Sequence, residues 1–275
     1  MSQIHWFPGH MAKTIKTLKS MTSRVDIIIE CCDARIPKSS RNPIINTLVT
    51  EKHVHIIVLS KIDLADPDST KKWVQSLETE CDAVIECNIL KNSGIKEILK
   101  RCKSISQKKR QKKRFHISRV MICGIPNVGK SALINKMAKK KAAAVQNKPG
   151  VTKQTKGVML DHFLELIDSP GILWPKVDTE ETSIKLALTK AIKETLYNDF
   201  KLCEWLLTFL LEKYPLSISK RYKIDSLPST VSELMDIIAQ NMGWLTKNKE
   251  IHEEKTSRRI IEDFQKQRLG PISLE

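Results

Sequence analysis

Three short stretches carry side chains whose types and spacing suit one chemistry, the binding of a phosphate ester. The first is GIPNVGKS at 124–131, a G-x-x-x-x-G-K-S pattern between an apolar strand-like run, 120–123, and a helix-like run, 132–138. Its glycines let the backbone curl so that successive N–H groups face an anion, and a helix start adds the positive end of its dipole. Gly124, Asn127, Val128 and Gly129 are the expected cradle. The Lys130 ammonium is expected between β and γ phosphates, and the Ser131 hydroxyl on Mg2+. The second stretch, LELIDSPG at 164–171, ends an apolar run at Asp168, a carboxylate suited to holding Mg2+ through water. Gly171 can then offer a backbone N–H to a γ phosphate. The third, SKID at 60–63, ends another apolar run. Guanine presents N1–H and N2–H2 along one edge, which one carboxylate accepts together, whereas adenine offers no such pair. Asp63 is the expected acceptor, with Ser60 beside it and the Lys61 stem covering the base plane. Asn88, after the run 83–87, is a further candidate for supporting the base.

These residues need a scaffold that brings loops to one edge. From 25 to 171 apolar runs (25–34, 53–60, 82–88, 118–124, 163–169) alternate with amphipathic stretches (69–80, 93–103, 130–140). Strands alternating with helices predict an α/β fold with a parallel sheet covered on both faces. The basic run KSISQKKRQKKR at 103–114 reads as a solvated linker between two halves of the sheet. Beyond 182 the pattern is helical only. Apolar residues recur at helical spacing up to Pro215, which is expected to stop that stretch. PSTVSELMDIIAQNMGWL at 228–245 predicts a helix capped by Ser229 or Thr230, and EKTSRRIIEDFQKQR at 254–268 a final basic helix. The expected division is a nucleotide-binding domain at 1–178 and a smaller all-helical domain at 179–275.

The chain of 275 residues has 41% hydrophobic content, enough for a real core. No stretch approaches the roughly 20 apolar residues of a membrane span, and 1–13 shows no export or transit signal. Seven cysteines without a C-x-x-C pair read as reduced core thiols in a cytosol. With 47 Lys plus Arg against 31 Asp plus Glu, the formal charge of +16 favours a polyanionic partner such as RNA. KKRQKKR at 108–114, Lys139 to Lys141, and Lys255, Arg258, Arg259, Lys266 and Arg268 form basic patches suited to phosphate contacts.

The guanine-reading element precedes the phosphate loop, the reverse of the usual order. In an open parallel sheet such loops all lie at the carboxyl ends of strands, so position in space decides the site. On WFPGHMAK (6–13), DARIPKSSRNP (33–43), SKID, GIPNVGKSALIN (124–135), KPGVTKQT (148–155) and DSPGILWPK (168–176), the sequence resembles the circularly permuted GTPases, specifically the YlqF/RbgA ribosome-assembly family. It departs at Ser60, where that family usually has Asn, which implies weaker nucleotide binding. The resemblance implies a permuted P-loop GTPase fold and a GTP hydrolase of the cytoplasm, bacterial before mitochondrial. It implies action on late maturation of the large ribosomal subunit and its rRNA, through a helical module resembling the ANTAR type. The protein is expected to be a monomer when free, with no membrane partner.

Ile172 stands where many small GTPases carry a water-orienting Gln, so another group must act. By the resemblance that group is His10, with an anchoring role for 6–8 and a surface cap at His10 as the rival reading. Asn127 resembles the residue that lets related enzymes hold K+ beside the phosphates, a loop-structuring role being the alternative. Thr152 is the expected switch ligand for Mg2+, with Thr155 as its alternative. An ATP-dependent small-molecule kinase would share the phosphate loop, but leaves SKID and DSPG without a role. A nucleotide-regulated RNA-binding protein with little hydrolysis is the second rival.

Overall fold

The computed structural model describes residues 19–142, 157–168, 179–192, 198–245 and 252–275, the side chains of 139–142 and 168 excepted. Six strands form one sheet: β1 (Ile27–Asp33), β2 (Val54–Ser60), β3 (Ala83–Cys87), β4 (Ser118–Cys123), β5 (Val158–Asp161) and β6 (Leu164–Asp168), in the order β3-β2-β1-β4-β6-β5. Every pair is parallel except β5 with β6. The expected parallel sheet holds for β1, β2, β3, β4 and β6, and the strand not foreseen, β5, adds an antiparallel edge. Only Asp161 and Leu164 flank the turn at 162–163, too short for the crossover that a parallel pair requires.

β1 lies wholly inside, and its side chains alternate between two faces. Ile27, Ile29 and Cys31 join Ile56, Val58, Val120 and Ile122 under the helices α3 (Ile95–Lys112) and α4 (Lys130–Ala142). Ile28 meets Ile45 and Leu48 of α1 (Pro43–Leu48), while Cys32, Ile57 and Leu59 meet Leu77 of α2 (Pro67–Leu77). Asn42 and Asp66 cap these two helices through Ile44 N–H and Ser69 N–H, and each is followed by a proline whose missing N–H costs nothing in a first turn.

The run 103–114 is not a linker. α3 continues through Lys112, with Ile98, Cys102 and Ser106 buried along one face. Lys, Arg and Gln are good helix formers, and Lys109, Arg110 and Lys112 complement the dipole at the helix end. Tertiary contacts fasten it further. Ser106 Oγ donates to the Phe163 carbonyl (2.9 Å), the Arg110 guanidinium lies 3.4 Å from the Phe163 ring centroid, and Lys109 pairs with Asp26 (2.7 Å). At 1.5 Å per residue its 18 residues span about 27 Å. The helix is the crossover between edge strand β3 and β4, which pairs with β1 on the side away from β2.

The helical region holds α5 (Glu180–Leu188), α6 (Asp199–Lys213), α7 (Pro215–Tyr222), α8 (Val231–Asn241) and α9 (Glu253–Gln265). Pro215 opens α7 as well as closing the preceding stretch, because proline fits a first helical turn. The helix start near 230 is as expected, with Thr230 Oγ1 accepting from Glu233 N–H. Leu186, Leu206, Leu210, Ile260 and Phe264 belong to the same contiguous apolar cluster as the α3 face of the sheet. The boundary expected at 178/179 falls beside residues outside the described ones.

Candidate nucleotide-binding site

With β2 and β3 on one side of β1 and β4 and β6 on the other, the chain changes direction between β1 and β4. In open α/β sheets ligands bind at such a switch point, beyond the carboxyl ends of the strands. The phosphate-loop sequence leaves β4 there and runs into α4 at Lys130. Gly124 has φ +142, and a Cβ on it would lie 2.4 Å from the Cys31 carbonyl oxygen, so the loop packs on the neighbouring strand as only glycine allows. Gly129 has φ +99, with Ile89 filling the space a side chain would need. Val128 is buried. Lys130 is nearly buried, its Nζ donating to the Ile125 carbonyl at 2.6 Å across the loop it closes. Ser131 follows in the first turn of α4. Asp168 ends β6 opposite Ile122 of β4, which puts its backbone at the same edge.

SKID joins this loop directly. Ser60 Oγ lies 2.8 Å from the Cys32 carbonyl oxygen and 2.6 Å from that of Val128, sharing its one proton between them. Residues 68 positions apart are thus in hydrogen-bond contact, with the later loop and the earlier one reversed along the chain. The hydroxyl that replaces an amide here ties the end of β2 to the phosphate loop. Lys61 adopts φ +59, and its Nζ bonds Asp33 Oδ2 at 2.8 Å. Asp63 follows one turn later at an intermediate depth. Asn88 is buried and accepts from Lys91 N–H (3.0 Å), so its carboxamide shapes the turn after β3.

Asn127, at φ +60, donates from Nδ2 to the Lys190 carbonyl at 2.6 Å. The phosphate loop is therefore linked to the region after α5, and the amide oxygen of Asn127 retains its acceptor character. His10, Thr152, Thr155 and Gly171 lie outside the described residues.

Asp33 and Arg35 open the DARIPKSSRNP stretch, and sequence alone assigns them no role. The structure gives them one. Asp33 is buried, with Arg35 Nε and Nη2 on its two oxygens (3.0 and 2.8 Å) and Lys61 on Oδ2. Burial alone would raise its carboxyl, but the two cations outweigh that and hold it well below the usual carboxylate range. The pair spacing D-x-R at the end of an apolar strand was the available signal. Also unforeseen was the segment 267–275, which packs against 33–39 and 63–66 through contacts more than 200 positions apart.

The model of the family described as 50S ribosome-binding GTPase matches residues 119–237, beginning in the strand that feeds the phosphate loop. Ribosome biogenesis GTPase A of Bacillus licheniformis is 39% identical over 277 residues, 99% of this chain and 98% of its own. The mitochondrial ribosome-associated GTPase 1 of Mus musculus is 34% identical over 91% of this chain and 77% of its own. The GDP-bound structure of TM YlqF superposes with a TM-score of 0.66 at 24% identity, covering 94% of this chain and 98% of that one, a likeness of fold. The chain belongs to the RbgA/YlqF family of circularly permuted ribosome-biogenesis GTPases.

Proposed function

We propose that this chain hydrolyses GTP during late assembly of the large ribosomal subunit, in the bacterial cytoplasm, and binds rRNA in its GTP state. The observation that carries the reading is the Ser60–Val128 hydrogen bond, which sets a guanine-reading loop against a phosphate loop of reversed chain order. Asp63 would accept N1–H and N2–H2 of guanine, with Ser60, Lys61 and Asn88 organising that end. Gly124, Asn127, Val128, Gly129 and Lys130 would cradle the phosphates, joined by the Gly171 N–H.

A hard cation suits the donors at this edge. Ser131 would supply a hydroxyl and Asp168, whose backbone ends the adjacent strand, a carboxylate; Thr152, outside the described residues, is proposed as a second hydroxyl, and all three are oxygen ligands of the kind Mg2+ takes. An Mg2+ held by these residues would supply positive charge against the phosphate oxygens. The Asn127 amide oxygen is placed on a loop where K+ would add positive charge. Its own amide hydrogen is already engaged by Lys190, which favours presenting oxygen to a cation. With Ile172 unable to orient water, His10 takes that role in this reading.

The rRNA surface is the basic face of α9. Lys255, Arg258, Arg259, Lys266 and Arg268 line a cleft of about 620 Å³ with His252, Glu254 and Glu262. Arg258 pairs with Glu254 (3.3 Å) and Lys266 with Glu262 (2.7 Å), so the cleft is less positive than its lysines and arginines suggest. Exposed Lys108, Lys112, Lys113 and Arg114 form a second basic face. Because the helical region touches the phosphate loop at Lys190, nucleotide state would reach that surface through packing.

Phosphate release from GTP and from ATP, in K+ and in Na+ buffer, with and without large-subunit assembly particles, tests the proposal. Turnover confined to GTP and raised by K+ and by the particles is expected. Equal ATP turnover would favour the kinase reading, and tight guanine-nucleotide and RNA binding without turnover a binding protein.

A further inference from the structure

The guanine-reading loop is held by a segment from the far side of the helical region. Gln267 Nε2 donates to the Asp63 carbonyl, and Ile272 N–H to the Leu64 carbonyl at 3.0 Å. Asp66 N–H donates to Ser273 Oγ at 3.0 Å. Three backbone groups of a four-residue loop thus find their partners within seven residues of each other, more than 200 positions away. The same segment reaches the loop that holds Lys61: Leu274 N–H donates to the Arg35 carbonyl (2.8 Å), and the Glu275 carboxylate accepts from Lys38 N–H (2.7 Å). Its own placement is secured by burial of Leu269, Ile272, Ser273 and Leu274, and by Tyr214, whose hydroxyl bonds both backbone groups of Ser273.

A loop whose carbonyls and amides are pinned on one side can aim a carboxylate from the other without reordering on binding. Such preorganisation adds to affinity and sharpens discrimination between ligands that differ by one hydrogen-bonding group. We infer that Gln267 and Ser273 are positioning residues for guanine recognition, holding the Asp63 loop so that base selection depends on the helical region. The inference rests on the reading of Asp63 as the guanine acceptor.

Inosine diphosphate separates the two. It lacks the 2-amino group, so it forfeits one of the two contacts to Asp63 while keeping every phosphate contact. Full-length protein is expected to bind GDP at least tenfold tighter than IDP, the worth of one hydrogen bond to a charged group. In Gln267→Met and Ser273→Ala that ratio should shrink roughly threefold or more, with IDP affinity little changed. Equal weakening of both nucleotides, or an unaltered ratio in variants that melt like the parent, would overturn the inference. Hydrogen exchange on the unmodified protein gives an independent readout, because coupling between two sites is reciprocal. GDP should slow exchange at Ile272 and Leu274 more than IDP does, and equal protection by both would also overturn it. If the parent protein fails to distinguish GDP from IDP and Asp63→Asn binds GDP unchanged, the guanine reading of Asp63 itself has failed. That outcome is distinct from a parent that discriminates and variants that do so equally well.

Discussion

The phosphate loop and the guanine loop are built in opposite ways. The phosphate loop is held from within the sheet: Gly124 lies on the β1 backbone, Ser60 bonds Val128, and Lys130 bonds a carbonyl of the loop itself. The guanine loop takes Ser60 and Lys61 from the sheet edge and closes local turns from Leu64 N–H to the Lys61 carbonyl and from Ala65 N–H to that of Ile62, while the Asp63 and Leu64 carbonyls and the Asp66 N–H find their partners in 267–275. The phosphate loop thus rests mainly on the sheet beneath it, with one tie to the helical region through Asn127 and Lys190, whereas three backbone groups of the 63–66 loop depend on 267–275.

Substitutions that act on one loop alone would sharpen the contrast. Lys130→Ala removes the charge-assisted bond to the β phosphate and should cost GDP and ADP alike on the order of 10² in affinity, read by calorimetry. Asp63→Ala should lower GDP affinity by about 10²-fold or more while leaving ADP unaffected. Equal loss for both purines would erase the distinction between the loops.

The joint between the loops supplies two smaller effects. Asp33→Asn leaves Arg35 and Lys61 facing a neutral amide and should destabilise the protein at pH 7 by about 3 kcal/mol in urea unfolding. Since the Asp33 carboxyl in the folded protein titrates below its ordinary 3.8, its contribution is fully present above that value and fades as pH falls further. The gap between the parent and Asp33→Asn should therefore narrow from pH 5 toward pH 2. A gap independent of pH would place its origin in packing. Ser60→Ala leaves the Val128 carbonyl without its hydroxyl donor and should cost about 1–2 kcal/mol in the same assay.

What could be read from the sequence follows the same division. GIPNVGKS, SKID and DSPG are compact patterns whose chemistry depends on neighbours in the chain, and the strands that carry them were visible as short apolar runs. The hold on Asp63 was not visible, because Gln267 and Ser273 are ordinary polar residues whose partners are fixed only by folding. The run 103–114 misled through composition. Its charges concealed a helical face of Cys102, Ile105 and Ser106, and Phe163, which anchors it, arrives from the β5–β6 turn. The β5–β6 hairpin was missed because β5 has four residues, two of them exposed, so the alternation that marks a strand is barely expressed.

A crystal structure of the full chain with GDP and Mg2+ tests the central claim most directly. One nucleotide is expected, its guanine edge on the Asp63 carboxylate and its β phosphate on Lys130 Nζ, with Gln267 still on the Asp63 carbonyl. A nucleotide held by 124–131 whose base points away from 60–63 would contradict the account.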